Sequence, residues 1–141
     1  MDENLAHCSY EAGILEDPNI TPPADMWKLT QDPLTAPDQP EDFTLTFEKG
    51  VPVKLEYTEK GQQKTVTDSV ELFLTANAIA RRHGVGRIDI VRPSRILREN
   101  ISLTFTQVEN RFIGIKSRGC YETPGLTCLR AAHMSVSHSC C

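Results

Sequence analysis

The chain has 141 residues, a formal net charge of −4 and an isoelectric point near 5.5. That length suits one modest domain, and the acidic balance lacks the basic stripe that a nucleic-acid or anionic-membrane partner requires. No apolar run approaches the roughly 20 residues of a spanning helix, and the acidic opening Met1-Asp2-Glu3-Asn4 is unlike a secretory leader, so the expectation is a cytoplasmic protein with its five cysteines reduced.

In chain order, residues 1–16 place Leu5, Ala6, Tyr10 and Ile14 in weak helical spacing behind Asp2 as a cap, interrupted by Gly13. Six of the nine prolines then fall between Glu16 and Asp42. Proline fixes φ and removes a donor, so this span is neither a regular helix nor a central strand. It is expected to run along a surface, with Trp27 and Leu29 as docking points. Residues 1–42 therefore read as a connecting segment.

At Phe43 the period changes to two. Phe43-Thr44-Leu45-Thr46-Phe47 alternates, Glu48-Lys49-Gly50 turns, and Val51 to Tyr57 alternates again, which is a β-hairpin with Gly50 in the turn. Pro52 points to an edge position for the second strand, and Gly61 to Lys64 reads as a further polar turn. Ser69 is the expected cap of a helix reaching Arg82, with Val70, Phe73, Leu74, Asn77 and Arg81 along one side and Leu72, Ala76, Ile79 and Ala80 widening the stripe. Arg81, Arg82 and His83 suit the negative end of the dipole, and Gly84 suits the position just past the helix. Arg87–Val91 and Arg111–Lys116 read as strands. The order predicts an α+β domain over 43–125, an antiparallel sheet with a packed helix and one small core. Residues 126–141 are expected to be a disordered tail.

Few residues carry a chemical signature by themselves. Gly84-x-Gly86 is too short for a phosphate loop and reads as a helix stop. Cys128, His133, His138, Cys140 and Cys141 are of zinc-ligand type, but their spacing matches no finger or ribbon. His7, Cys8 and Ser9 are neighbours in sequence, which does not make a nucleophile and base. Glu109, Arg111, Lys116, Arg118 and Glu122 read first as a solvated strand face.

Several strings, however, occur together and in order: MDENLAHCSYEAGILED at the start, TQDP at Thr30–Pro33, KGVPVK at Lys49–Lys54, SVELF in the helix, HGVGRIDIV at 83–91 and ENRFIGIKSRGCYETPG at 109–125. Together they resemble the argininosuccinate synthase family. The resemblance implies a partial synthetase domain and a cytoplasmic ligase of arginine biosynthesis and the urea cycle. Such an enzyme joins citrulline to aspartate with ATP, used with magnesium, cleaved to AMP and pyrophosphate. It assigns citrulline contacts to Ser9 in SYEAG, Glu109 in ENRF and Tyr121 in YETP. The carboxylate would face the ammonium group, and the hydroxyls would position the amino-acid head. No residue of this chain is assigned a catalytic, nucleotide-binding or metal-binding role.

In that family IDIV runs straight into ENRF, whereas here residues 92–108 intervene. A valine codon begins with GT and a glutamine codon can be CAG, so Val91–Gln107 fits an in-frame retained intron. The family's SGGxDTS phosphate loop lies upstream of Met1, and its tetramer-forming helix lies beyond His133. The expectation is thus a fragment that does not bind ATP and is inactive alone. The alternative is a non-catalytic remnant that binds citrulline weakly or docks onto full-length subunits.

Overall fold

The computed structural model of the chain describes residues 1–17, 19–91, 109–112 and 115–139. Residues 92–108, expected to be an insertion, lie outside them. In chain order the elements are β1 (Asp2–Glu3), β2 (Cys8–Glu11), short 3-10 turns at Gly13–Glu16 and Ala24–Met26, β3 (Phe43–Glu48), β4 (Val51–Glu59), β5 (Gln62–Val66), α1 (Ser69–Arg82), β6 (Arg87–Val91), β7 (Glu109–Phe112), β8 (Ile115–Glu122) and α2 (Pro124–Ser139). This is the expected α+β class with antiparallel pairing, but among the described residues the strands form two sheets with two cores rather than one. The chain divides into a unit of Met1–Leu29 with Arg87–Glu122 and a unit of Thr30–Gly86 with Thr123–Cys141. The boundaries expected at 42 and 125 mark changes in composition. The compact units ignore them because β2 finds its partner more than a hundred residues away.

In the first unit β8 is the spine. The strand order is β1-β2-β8-β6, with β7 also paired to β8. The opening residues are therefore strand rather than helix: Cys8, Ser9, Tyr10 and Glu11 sit opposite Glu122, Tyr121, Cys120 and Gly119. The single strand expected at 111–116 is instead parts of β7 and β8. One face of this sheet carries Cys8, Tyr10 and Cys120, which pack with Leu15 and Leu29 and are flanked by Met26 and Trp27. The Pro-rich span thus docks as expected. The Arg87 guanidinium lies 5.0 Å from the Trp27 ring centre, within cation–π range.

In the second unit β3, β4 and β5 form a meander. Lys49 and Gly50 both have positive φ, as do Lys60 and Gly61, the requirement of two-residue type I′ hairpins. The segment expected as a polar turn at 61–64 is therefore mostly strand β5. It also makes β4 central, not an edge. Pro52 is tolerated there because β5 pairs only from Leu55 onward, so Pro52 has the neighbour Phe47 alone, next to a register shift at Thr46/Phe47.

Helix α1 follows the expected span, but its cap is Asp68, not Ser69: the Asp68 carboxylate accepts from Val70 N at 3.1 Å and Glu71 N at 2.9 Å. The helix ends as expected. Gly84 has φ +66, Val85 N donates to Ala80 O at 3.0 Å and Gly84 N to Arg81 O at 3.3 Å, the paired bonds of a Schellman closure. Leu55, Val66, Leu72 and Ala76 form the core, with Phe43, Leu45, Tyr57 and Leu129 against it. Leu129 belongs to α2, so residues expected to be a disordered tail form a helix as far as Ser139. Pro124 occupies its first position, where no N–H is needed, and Gly125 N donates to the buried Asn77 Oδ1 at 3.0 Å. Among the described residues no helix is long and apolar enough to cross a membrane.

Candidate functional site

Alternation along a strand sends neighbouring side chains to opposite faces, while cross-strand partners share a face. On the first unit's sheet this sorts the residues cleanly. Cys8, Glu122 and Arg87 share one row, and Tyr10, Cys120 and Asp89 the next, on the core side. Ser9, Tyr121 and Ile88 share a row on the other side, followed by Glu11, Gly119 and Ile90.

Two of the three residues singled out in the sequence are thereby brought together. Ser9 and Tyr121 are direct partners across β2 and β8. Ser9 is buried and Tyr121 half-buried. Glu109 is on β7 with its backbone opposite Ser117, about 13 Å along β8 from Tyr121 at the usual rise per residue.

The structure adds a residue the sequence reading did not single out. The Tyr121 hydroxyl donates to Glu11 Oε1 at 3.4 Å, which puts an exposed carboxylate beside the phenol. Its signal was period two within Cys8-Ser9-Tyr10-Glu11, hidden by reading that stretch as helix. The ring reaches Glu11 by lying over Gly119, where a Cβ would fall 2.7 Å from the Tyr121 hydroxyl oxygen. This face offers a hydroxyl, a phenol and a carboxylate, a set able to orient a small zwitterion rather than transfer protons.

The core side overturns the reading of Arg118 and Glu122 as a solvated strand face. Arg118 Nε and Nη2 donate to Asp89 Oδ1 and Oδ2 at 2.9 and 2.7 Å. Its Nη1 donates to the carbonyls of Asp17 at 3.0 Å and Ile20 at 2.6 Å. The Asp89 carboxylate holds the Arg118 guanidinium above its usual pKa. Glu122 is fully buried and accepts from the backbone of Lys28 and Leu29. Burial, helped by Asp89, pushes the Cys120 thiol up to about 12, so it is not a thiolate nucleophile near neutrality. Cys8 and Ser9 face opposite ways, and His7 Nδ1 is 2.9 Å from Asn4 Nδ2, so these three sequence neighbours make no catalytic array.

In α2, His133 stands edge-on to Phe47 with centroids 5.7 Å apart, and His138 Nδ1 lies 2.7 Å from Met134 O. Among the described residues no three His, Cys, Asp or Glu side chains gather as a metal site. Cys140 and Cys141 lie outside those residues.

A sequence model of the family described as "Arginosuccinate synthase C-terminal domain" matches residues 1–99 and 104–140. The argininosuccinate synthase of Schizosaccharomyces pombe is 57% identical over 136 residues, covering 96% of this chain and 28% of that protein. The Saccharomyces cerevisiae protein of the same name is 53% identical over 137 residues, covering 96% and 29%. The Homo sapiens protein of that name is 48% identical over 136 residues, covering 96% and 28%. The chain thus spans less than a third of the length of these relatives. With a family match running along almost all of its residues, the chain belongs to the argininosuccinate synthase family.

Proposed function

We propose that this chain provides a citrulline-recognition face of an argininosuccinate synthase, the ligase that joins citrulline to aspartate as ATP is split into AMP and pyrophosphate. The observation that carries this reading is the direct pairing of Ser9 with Tyr121 on the face that also bears Glu11. In this reading the Ser9 hydroxyl donates to the carboxylate of the amino-acid head, and the Tyr121 phenol oxygen, whose proton goes to Glu11, accepts from its ammonium group. Glu109, assigned through the family resemblance, takes the ammonium group, and Glu11 keeps the Tyr121 phenol in place. These groups position the substrate; the chemical driving force comes from ATP with its magnesium, bound in the family by a phosphate loop outside these 141 residues. The chain taken alone therefore holds citrulline without turning it over. In a complete enzyme it would act beside the ATP- and aspartate-binding parts, within the family's homotetramer.

Calorimetric titration of the chain with citrulline tests this. Saturable binding is expected, weakened about tenfold by Ser9→Ala or Tyr121→Phe, the size expected for a lost hydrogen bond in a partly buried site. Equal binding by the parent chain and both variants, or no binding by the parent, refutes it.

A further inference from the structure

We infer that Glu122 is a positioning residue for the citrulline face, acting from the core side of the sheet to hold Tyr121 and Ser9 in register. This rests on the citrulline reading proposed above. Glu122 follows Tyr121 in β8, and Tyr10 follows Ser9 in β2. The pair that recognises substrate is therefore backed, one residue along each strand, by a pair facing the core. There the Tyr10 hydroxyl donates to Glu122 Oε2 at 3.4 Å. The same oxygen accepts from Lys28 N at 2.9 Å and Leu29 N at 3.1 Å, and Oε1 accepts from Leu29 N at 3.2 Å.

One carboxylate with 0% exposure thus joins β8, β2 and the segment carrying Trp27 and Leu29. Bonds to a charged acceptor are the strong ones, and in a buried setting the donors left by its removal have no water to turn to. The position matters because β2 is only four residues long. A slip of one residue would send Ser9 to the core face and Cys8 to the open one. A short ladder specifies register weakly, and the Glu122–Tyr10 contact adds a side-chain constraint that the slipped pairing cannot make. Leu29, buried beneath, is held by the same carboxylate and seals the core against which β2 lies.

Glu122→Gln in the full chain tests this, because the amide has the same shape and keeps one acceptor oxygen. Two readouts are needed: citrulline titration, and the NMR shift of the Gly119 α-protons, which the Tyr121 ring displaces because it lies over Gly119. Expected are an affinity loss of about tenfold and movement of the Gly119 shift toward its unstructured value, in a chain that still unfolds cooperatively. A merely structural role would lower the unfolding midpoint and leave the Gly119 shift in place. A folded variant with parental affinity and an unchanged Gly119 shift overturns the inference. Should Glu122→Gln not fold, Tyr10→Phe removes one bond of the set. A moved Gly119 shift in that variant supports the role, and an unmoved one overturns it. If the parent chain fails to bind citrulline, the citrulline reading falls, and the Gly119 shift alone decides whether Glu122 positions Tyr121.

Discussion

Gly119 shows how much of the open face depends on a missing side chain. Its backbone is not in the left-handed region that reserves a position for glycine, unlike Gly84 and Gly86. The reason for glycine is space: a Cβ would fall 2.7, 2.8 and 2.9 Å from the hydroxyl oxygen, Cε2 and Cζ of Tyr121. All three atoms belong to the far end of one side chain, so an added methyl swings the ring away without breaking the strand. Gly119→Ala is therefore expected to keep its unfolding midpoint while losing citrulline affinity about tenfold, as the phenol leaves Glu11. Retained affinity in that variant would show that the ring's place over Gly119 has no part in binding. None of this was legible in the string SRGCYETP, because a glycine chosen for a neighbour's ring carries no turn or cap pattern around it. Ser9 and Tyr121 could be picked out only through the family resemblance; their pairing is a fact of tertiary register.

Elements whose causes are local were legible. The first hairpin follows from period two around Glu48-Lys49-Gly50, and α1 from its apolar stripe and the Gly84 stop. The missed strand β5 had a local cause too: Glu59-Lys60-Gly61 repeats the triplet of the first turn and adopts the same two positive φ values. Strand β2 had none, since its central place in the sheet depends on pairing with β8, more than a hundred residues away. Helix α2 was signalled by Pro124 and by Leu126 and Leu129, but the unusual run after His133 obscured it. A tie between elements offers a pH test. Glu41, at the end of the Pro-rich span, accepts from Arg82 Nη2 at 2.6 and 2.9 Å and lies 3.2 Å from His83 Nε2. Arg82, and then His83, hold the Glu41 carboxyl below its usual pKa of 4.5 despite opposing desolvation. A folded-state value below the unfolded one stabilises the fold above the unfolded pKa, and that stability is lost as pH falls through the folded value. Arg82 is half exposed, so solvent screens the pair. Glu41→Gln should lower stability by about 0.5–1 kcal/mol near neutral pH. Thermal melts of the two proteins should converge as pH falls below the lowered folded-state pKa of Glu41, where both are uncharged at position 41. A gap that persists there would mean that packing, not charge, ties Glu41 to the helix end.

At the scale of the whole molecule, composition suggests one core and the described residues form two, because each unit is assembled from separated stretches of chain. Length and alternation do not reveal this: the chain leaves the first unit after Leu29, returns at Arg87 and leaves again after Glu122, at points with no common composition. The two cores share no residue. Leu15 is 1% exposed among Cys8, Tyr10, Leu29 and Cys120, and Leu72 is 1% exposed among Leu55, Val66 and Ala76. Truncating either leucine removes about 2–5 kcal/mol of transfer and cavity energy, a large part of the roughly 5–15 kcal/mol that holds an ordinary domain. Where that loss is felt depends on whether each core opens by itself. Native-state hydrogen exchange distinguishes the cases, since local opening exposes only the amides of the unit that opens. Leu15→Ala is expected to accelerate exchange first in β2 and β8, and Leu72→Ala first in β4, β5 and α1. Equal acceleration in every strand and helix from either substitution would mean that the two cores unfold as one cooperative unit.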